Sequence, residues 1–240
     1  MQAALEGDLL QRNPADRAKP PNASAEAGEL RKIHAWTPAE LARFLERTTH
    51  QRHHTAWHVL AMTGMRRGEV LGPTWEVVDL DAATLSVRRT LVDVEAGEPI
   101  WSDPKTDRGR RLVRMDAGTV AKLRIHRAAQ LSERLLIGEG YRDYSLVFAM
   151  PDGRPIHPER FSREFTQTVE RSALPRIRLH DLRHTWATLA LQAGVHPKVV
   201  QERLGHSNIA ITLDIYSHVI PAMQTDAADR VAALITGGGA

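Results

Sequence analysis

The chain has 240 residues, 42% of them hydrophobic and 25% charged, which suits one soluble globular core with a short appendage. It contains no apolar run of about 18 residues that would span a membrane. The opening Met1-Gln2-Ala3-Ala4-Leu5-Glu6-Gly7-Asp8 lacks the basic start and apolar stretch of a secretory leader, so a cytoplasmic protein is the simple reading. Zero cysteines exclude disulfides, zinc–thiolate sites and a thiol nucleophile, and a net charge of only +3 leaves the placement of the cations as the more telling quantity.

Residues 1–35 read as an appendage. Ala3 to Leu10 fits a short helix stopped by Asn13-Pro14, and residues 19–29, rich in proline, alanine and glutamate, fit a linker. The main domain is expected to open at Thr37-Pro38-Ala39-Glu40, a capping box with proline at the first helical position, followed by Leu41, Phe44 and Leu45 on one face. A second helix is predicted from His53 to Met62 with Gly64 as a left-handed stop, then a short one from Arg66 to Leu71 ended by Gly72-Pro73. Three strands are predicted at Glu76–Leu80, Thr84–Leu91 and Arg110–Met115, with turns at Asp81-Ala82-Ala83 and Asp107-Arg108-Gly109. Asp116 caps a helix to about Leu135. Leu146–Ala149 is a short extended piece before the turn at Pro151-Asp152-Gly153. Phe161, Phe165 and Val169 then recur at helical spacing, Gly194 and Gly205 sit where helix caps belong, and Trp186 and Leu189 are expected in the core. Asp226 to Ile235 fits one more helix, with Val231, Leu234 and Ile235 on a face. The expected fold is mainly α with a small antiparallel three-stranded sheet.

Between Lys105 and Arg114, five basic residues (Lys105, Arg108, Arg110, Arg111 and Arg114) stand against one acid, Asp107. Such a cluster fits a phosphate-facing surface, with a merely solvated hairpin as the alternative. Of the 32 lysines and arginines only 5 are lysine, so Lys105 within an arginine-rich stretch suggests a task needing a releasable proton, which arginine cannot supply.

Four segments carry a family resemblance. Thr63-Gly64-Met65-Arg66-Arg67-Gly68-Glu69 resembles the first arginine box of the tyrosine recombinases, the phage integrase family. Pro104-Lys105-Thr106 resembles their catalytic lysine hairpin, and His180-Asp181-Leu182-Arg183-His184-Thr185 their histidine–arginine box. Leu204-Gly205-His206-Ser207, with Tyr216 ten residues after His206, resembles their nucleophile box. Singly each box is weak: Arg66 alone is a common helix start, Lys105 a turn residue, Tyr216 a core tyrosine. Together and in order over residues 36–225 they imply the catalytic domain of this family, with its DNA breaking-rejoining fold.

The chemistry suits these residue types. Moving a DNA phosphodiester onto a protein hydroxyl builds charge on two non-bridging oxygens, which the fixed forks of Arg66 and Arg183 can clamp. Tyr216, titrating near 10 when unperturbed, needs help in losing its proton, and His180 is the expected helper. Lys105 can protonate the departing 5′ oxygen, His206 can hydrogen-bond the phosphate, and Glu69, one turn after Arg66, can hold a guanidinium in place. His184 is a supporting partner. The resemblance further implies a 3′-phosphotyrosyl intermediate, no metal or other cofactor, no ATP, double-stranded DNA as partner, a homotetramer on two duplexes, and room for accessory DNA-bending proteins.

It implies a domain order as well. Residues 1–18 would be the remnant of an N-terminal core-binding domain, 19–35 its linker, 36–225 the catalytic domain, and 226–240 a C-terminal helix and tail that packs on its own domain or on a neighbouring protomer. With most of the core-binding domain outside this sequence, weak and poorly discriminating DNA binding is expected. Three other functions compete: strand cleavage and religation like a type IB topoisomerase, a DNA-binding remnant without turnover, and a metal hydrolase. The histidines four apart, His180 with His184 and His50, His54 and His58, have zinc-ligand spacing. They lack a third ligand and the glutamate of the metalloprotease motif, and His50, His54 and His58 are expected to be surface or half-buried.

Overall fold

The computed structural model describes residues 34–103, 110–206, 208–210 and 212. The domain begins at the capping box. The Thr37 hydroxyl accepts from the Glu40 amide while the Glu40 carboxylate accepts from the Thr37 amide at 2.8 Å, and helix α1 (Pro38–Arg47) follows. Helix α2 (His54–Thr63) ends on Gly64 at φ 68°, the left-handed stop expected from sequence, and α3 (Arg67–Leu71) starts three residues later. Glycine at 68 lets α3 approach the strand that carries Leu91, because a Cβ there would collide with the Leu91 carbonyl oxygen.

The expected three-stranded sheet is present as β1 (Val78–Asp79), β2 (Thr84–Val87) and β5 (Arg111–Arg114), antiparallel, with Leu85 opposite Val113 and Val87 opposite Arg111. Two expectations change. The first strand is mostly a 3-10 turn over Trp75–Val77, and the long strand Thr84–Leu91 breaks at Arg88-Arg89. Beyond the break, β3 (Thr90–Glu95) and β4 (Glu98–Ser102) form a separate two-stranded hairpin turning on Ala96 and Gly97, both at positive φ. The expected turn at residues 107–109 lies outside the described residues.

Asp116 caps α4 (Ala117–Ile137) by accepting from the Thr119 amide at 3.0 Å. Leu146 and Ala149 make only isolated bridges, to Thr74 and Pro155. Three helices complete the described fold: α5 (Pro158–Arg171), α6 (Asp181–Gln192) and α7 (Pro197–Leu204), the last ended by left-handed Gly205.

The core is aromatic at its centre. Trp36, Phe44, Trp57, Phe161 and Phe165 are all buried, and Phe44 meets Trp36 at 5.1 Å and Phe165 at 5.3 Å. Trp36 ties the chain's entry to α6, its amide donating to Thr185 Oγ1 and its indole to the Pro175 carbonyl. Leu189 packs on this core, whereas Trp186 is half-buried with the Arg203 guanidinium 5.0 Å from its ring centroid. Contrary to expectation His54 and His58 are buried, facing Thr48 and Thr119 respectively, while His50 is exposed. Helix α2 packs on both α4 and α6, α3 on β3, and α7 on α6, which brings the starts of α3 and α6 to the end of α7. Among the described residues no helix is long and apolar enough to cross a membrane.

Candidate active site

The last turn of a helix leaves carbonyl oxygens without intrahelical partners, carrying partial negative charge. At the end of α7 three consecutive carbonyls each receive a different arginine. Arg203 O accepts from Arg111 Nε at 2.7 Å, Leu204 O from Arg183 Nη2 at 2.6 Å, and Gly205 O from Arg66 Nη2 at 3.2 Å. A second helix end takes part, since the Gly64 carbonyl closing α2 accepts from Arg183 Nη1 at 2.8 Å.

Arg183 is therefore fixed at both nitrogen tips. It is buried, and burial together with the neighbouring charge of Arg66 lowers its pKa to about 9, opposed by Glu69. Arg66, the residue before α3, keeps 43% of its side chain exposed. Its Nη1 and its backbone amide both donate to the Glu69 carboxylate at 2.8 Å. Burial alone would raise the Glu69 pKa, but hydrogen bonds and charge from Arg111 and Arg66 outweigh it and hold the carboxyl at about 2.

The histidines come from two sides. His180 precedes α6, where Arg178 donates to Asp181 through its amide at 2.8 Å and through its guanidinium, fixing the turn that presents His180. The His180 and His184 rings meet edge to face at 5.1 Å. His180 is open to solvent on one side. Even so, the atoms packed behind its ring, then His184 and Arg183, lower its pKa to about 4. His184 is half-buried, and its pKa is lowered by burial, with Asp181 opposing. Buried His206 follows the α7 cap and shares a 3.0 Å hydrogen bond between Nδ1 and Thr212 Oγ1; burial, then Arg183 and Arg66, lower its pKa to about 3. All three imidazoles are thus neutral at pH 7, able to accept a proton or hydrogen bond beside permanently charged guanidiniums.

Arg66, Glu69, Arg183, His180, His184 and His206 thus gather in one region of the domain. Lys105, Arg108 and Tyr216 lie outside the described residues. Of the remaining expected phosphate contacts, Arg110 and Arg114 are exposed. Arg110 borders an open basin of about 500 Å³ shared with exposed Arg88, a cation the sequence reading passed over. Arg111 corrects its expectation. Its side chain is only 8% exposed and donates to Glu69 through Nη1 at 3.0 Å and Nη2 at 2.8 Å. Strand alternation carried that signal, because Arg111 shares the inward face of β5 with buried Val113 while Leu112 points out. Nothing in the side-chain pattern marks the carbonyls of residues 64 and 203–205. Among the described residues, no three histidine, aspartate or glutamate side chains are arranged to hold a metal.

Comparison with known proteins shows the family and the fold. The Phage integrase family model matches residues 36–223. A tyrosine recombinase XerC-like protein of Caldanaerobacter subterraneus is 34% identical over 180 residues, covering 70% of this chain and 46% of that protein. The ICEBs1 integrase of Bacillus subtilis is 27% identical over 230 residues, covering 95% of this chain and 61% of that one. The chain thus spans about half the length of these curated relatives. The fold superposes on the Tn1549 transposon integrase, solved in complex with transposon right end DNA, with a TM-score of 0.72 at 24% identity over 97% of this chain and 75% of that one. The XerA recombinase gives a TM-score of 0.65 at 24% identity over 82% of this chain and 63% of that one. The chain belongs to the phage integrase family, the tyrosine recombinases, and carries their catalytic fold.

Proposed function

We propose that the chain cuts and rejoins double-stranded DNA as a site-specific recombinase of a mobile element, through a transient 3′-phosphotyrosyl bond on Tyr216. The Tyr216 oxygen attacks the scissile phosphorus, the bond to the 5′ oxygen breaks, and that oxygen takes a proton from Lys105. Attack by a 5′ hydroxyl on the phosphotyrosine reverses the bookkeeping and restores both the DNA backbone and the tyrosine. One phosphodiester replaces another at each step, so neither ATP nor a metal enters the balance.

The observation that carries the proposal is the suspension of Arg66 and Arg183 from adjacent carbonyls at the end of α7. Two forked cations held side by side, with neutral His180 and His206 close by, suit a five-coordinate phosphorus bearing two charged oxygens. Neutral His180 is in the protonation state needed to take the Tyr216 proton, and His206 can donate to a phosphate oxygen. Exposed Arg110, Arg114 and Arg88 offer phosphate contacts along the duplex. The roles of Lys105, Arg108 and Tyr216 rest on sequence. A homotetramer on paired duplexes, aided by DNA-bending proteins in the cytoplasm, is the assembly this reaction calls for.

The test is to incubate the chain, in the presence of EDTA, with a pool of nicked duplexes carrying a randomised core. Covalent protein–DNA adducts are then recovered on denaturing gels. Wild type is expected to form an adduct mapping to Tyr216, and Tyr216→Phe to bind DNA without forming one. No adduct from wild type, or an adduct from the variant, would overturn the proposal.

A further inference from the structure

Within that proposed reaction, we infer that Arg111 is a positioning residue: it does not touch DNA but locks Glu69, and through Glu69 the Arg66 clamp, to the end of α7.

The geometry divides the labour of one carboxylate. Glu69 Oε1 accepts from Arg66 Nη1 and Arg111 Nη1, while Oε2 accepts from the Arg66 amide and Arg111 Nη2. Four donors occupy the acceptor sites of a buried carboxylate, so it has no freedom to rotate. Arg66 alone would not achieve this. Its guanidinium reaches Glu69 through a single nitrogen and is 43% exposed, so on DNA binding it can exchange that bond for a phosphate. The two parallel bonds from Arg111 keep Glu69 in register when that happens. The remaining Arg111 donor, Nε, goes to the Arg203 carbonyl, one peptide before the carbonyl that holds Arg183 and two before the one that holds Arg66. Arg111 thereby fastens β5 and α3 to the turn of α7 that carries both proposed clamps.

Its chemistry also explains the choice of residue. Lysine would present one point charge, unable to span both carboxylate oxygens and a carbonyl on the far side at once. The ionisable groups facing Glu69 are Arg66 and Arg111, with Arg183 behind them. Removing Arg111 leaves a buried carboxylate with a half-exposed partner, and its affinity for a proton must rise.

The experiment compares wild type, Arg111→Gln and Arg111→Lys in the full chain, on adduct-forming duplexes selected with wild type. Folding is monitored by circular dichroism, DNA affinity by titration, and single-turnover cleavage at saturating DNA across pH. Both variants are expected to stay folded and to bind DNA within about threefold of wild type, the range of losing no direct contact. They are expected to cleave about 100-fold more slowly, as for a clamp displaced by roughly 1 Å. Arg111→Gln is also expected to have its acid limb displaced to higher pH than that of wild type, where protonation of His180 sets it, a signature that general loosening of the fold does not give.

Cleavage at the wild-type rate would overturn the inference. So would weakened binding with normal cleavage at saturation, which would make Arg111 a DNA contact, or failure of both variants to fold, which would make it a residue of the fold alone. Absence of an adduct from wild type would strike the proposed reaction instead, and the two failures are therefore distinct.

Discussion

Arg183 and Gly64 join two helix ends: the Arg183 guanidinium donates at 2.8 Å to the carbonyl that closes α2, while its other tip reaches Leu204 on α7. Arg183→Ala strands both carbonyls and empties a buried volume. Each unpaired buried acceptor costs about 1–3 kcal/mol, so a loss of several kcal/mol is expected by denaturant titration. Arg183→Lys keeps the charge but cannot hold both carbonyls. It is expected to destabilise less, by about 1 kcal/mol, while still lowering adduct formation at least about 100-fold. Equal cleavage by the lysine variant would count against the clamp assignment.

Gly64 itself offers a paired test. At φ 68° any side chain is strained, and a Cβ would lie 2.6 Å from Leu204 Cδ2 and 2.9 Å from Trp186 Cε3. Gly194 shares the left-handed conformation at φ 79° but has nothing within 4 Å. Gly194→Ala is therefore expected to cost about 1 kcal/mol, the backbone term alone. Gly64→Ala adds an overpacking term of about 1–3 kcal/mol. It also displaces the carbonyl under Arg183, so it should slow cleavage where Gly194→Ala does not.

Acid should loosen the packing of α2 on α4. His58 is buried beside Thr119, and burial, then Lys122 and His54, lower its pKa from 6.5 to about 4. A histidine with a lower pKa in the folded chain binds its proton more readily when unfolded. Its stabilising contribution is thus complete above pH 6.5 and drains away as pH falls toward about 4. The loss is of order 3 kcal/mol for this residue, and His53, His54 and His126, all shifted downward, act in the same direction. Thermal melts should fall steeply over that window, and His58→Leu should flatten the slope whatever it does to the midpoint at neutral pH.

The amino-terminal cap of the domain gives a calibration remote from the site. Thr37→Ala removes the side chain that receives the Glu40 amide. A loss of about 1 kcal/mol is expected, with cleavage unchanged at temperatures below the melt.

What was legible in the sequence was whatever is decided locally. Thr37 with Glu40, and Asp116, announced helix starts through side chains a few residues from the backbone they satisfy, Gly64 announced a stop by having none, and the structure places each where expected. The β3–β4 hairpin stayed hidden because Ala96 holds a left-handed turn position that asparagine or glycine usually marks. His54 and His58 resisted for a different reason. Their burial depends on α1 and α4 closing over α2, and only assembled helices show that Thr48 and Thr119 meet them. At the site, resemblance named Arg66, Glu69, His180, His184, Arg183 and His206, which the structure gathers, but not the carbonyls and the arginine that hold them. Carbonyl oxygens have no letter of their own, and Arg111 looked like one more cation in a basic run until strand alternation turned it inward.

The anchoring of Arg66 and Arg183 has a mechanical corollary. Leu204 and Gly205 are successive residues, their α-carbons about 3.8 Å apart, so only the two backbone dihedrals of Gly205 lie between the two anchoring carbonyls. A shift of α7 translates both guanidiniums in step, and thermal motion that would spread or pinch them must turn Gly205 out of its left-handed conformation or break one of the hydrogen bonds to those oxygens. The gauge between the two cations is the left-handed turn of one residue, held by the same cap hydrogen bonds that end the helix.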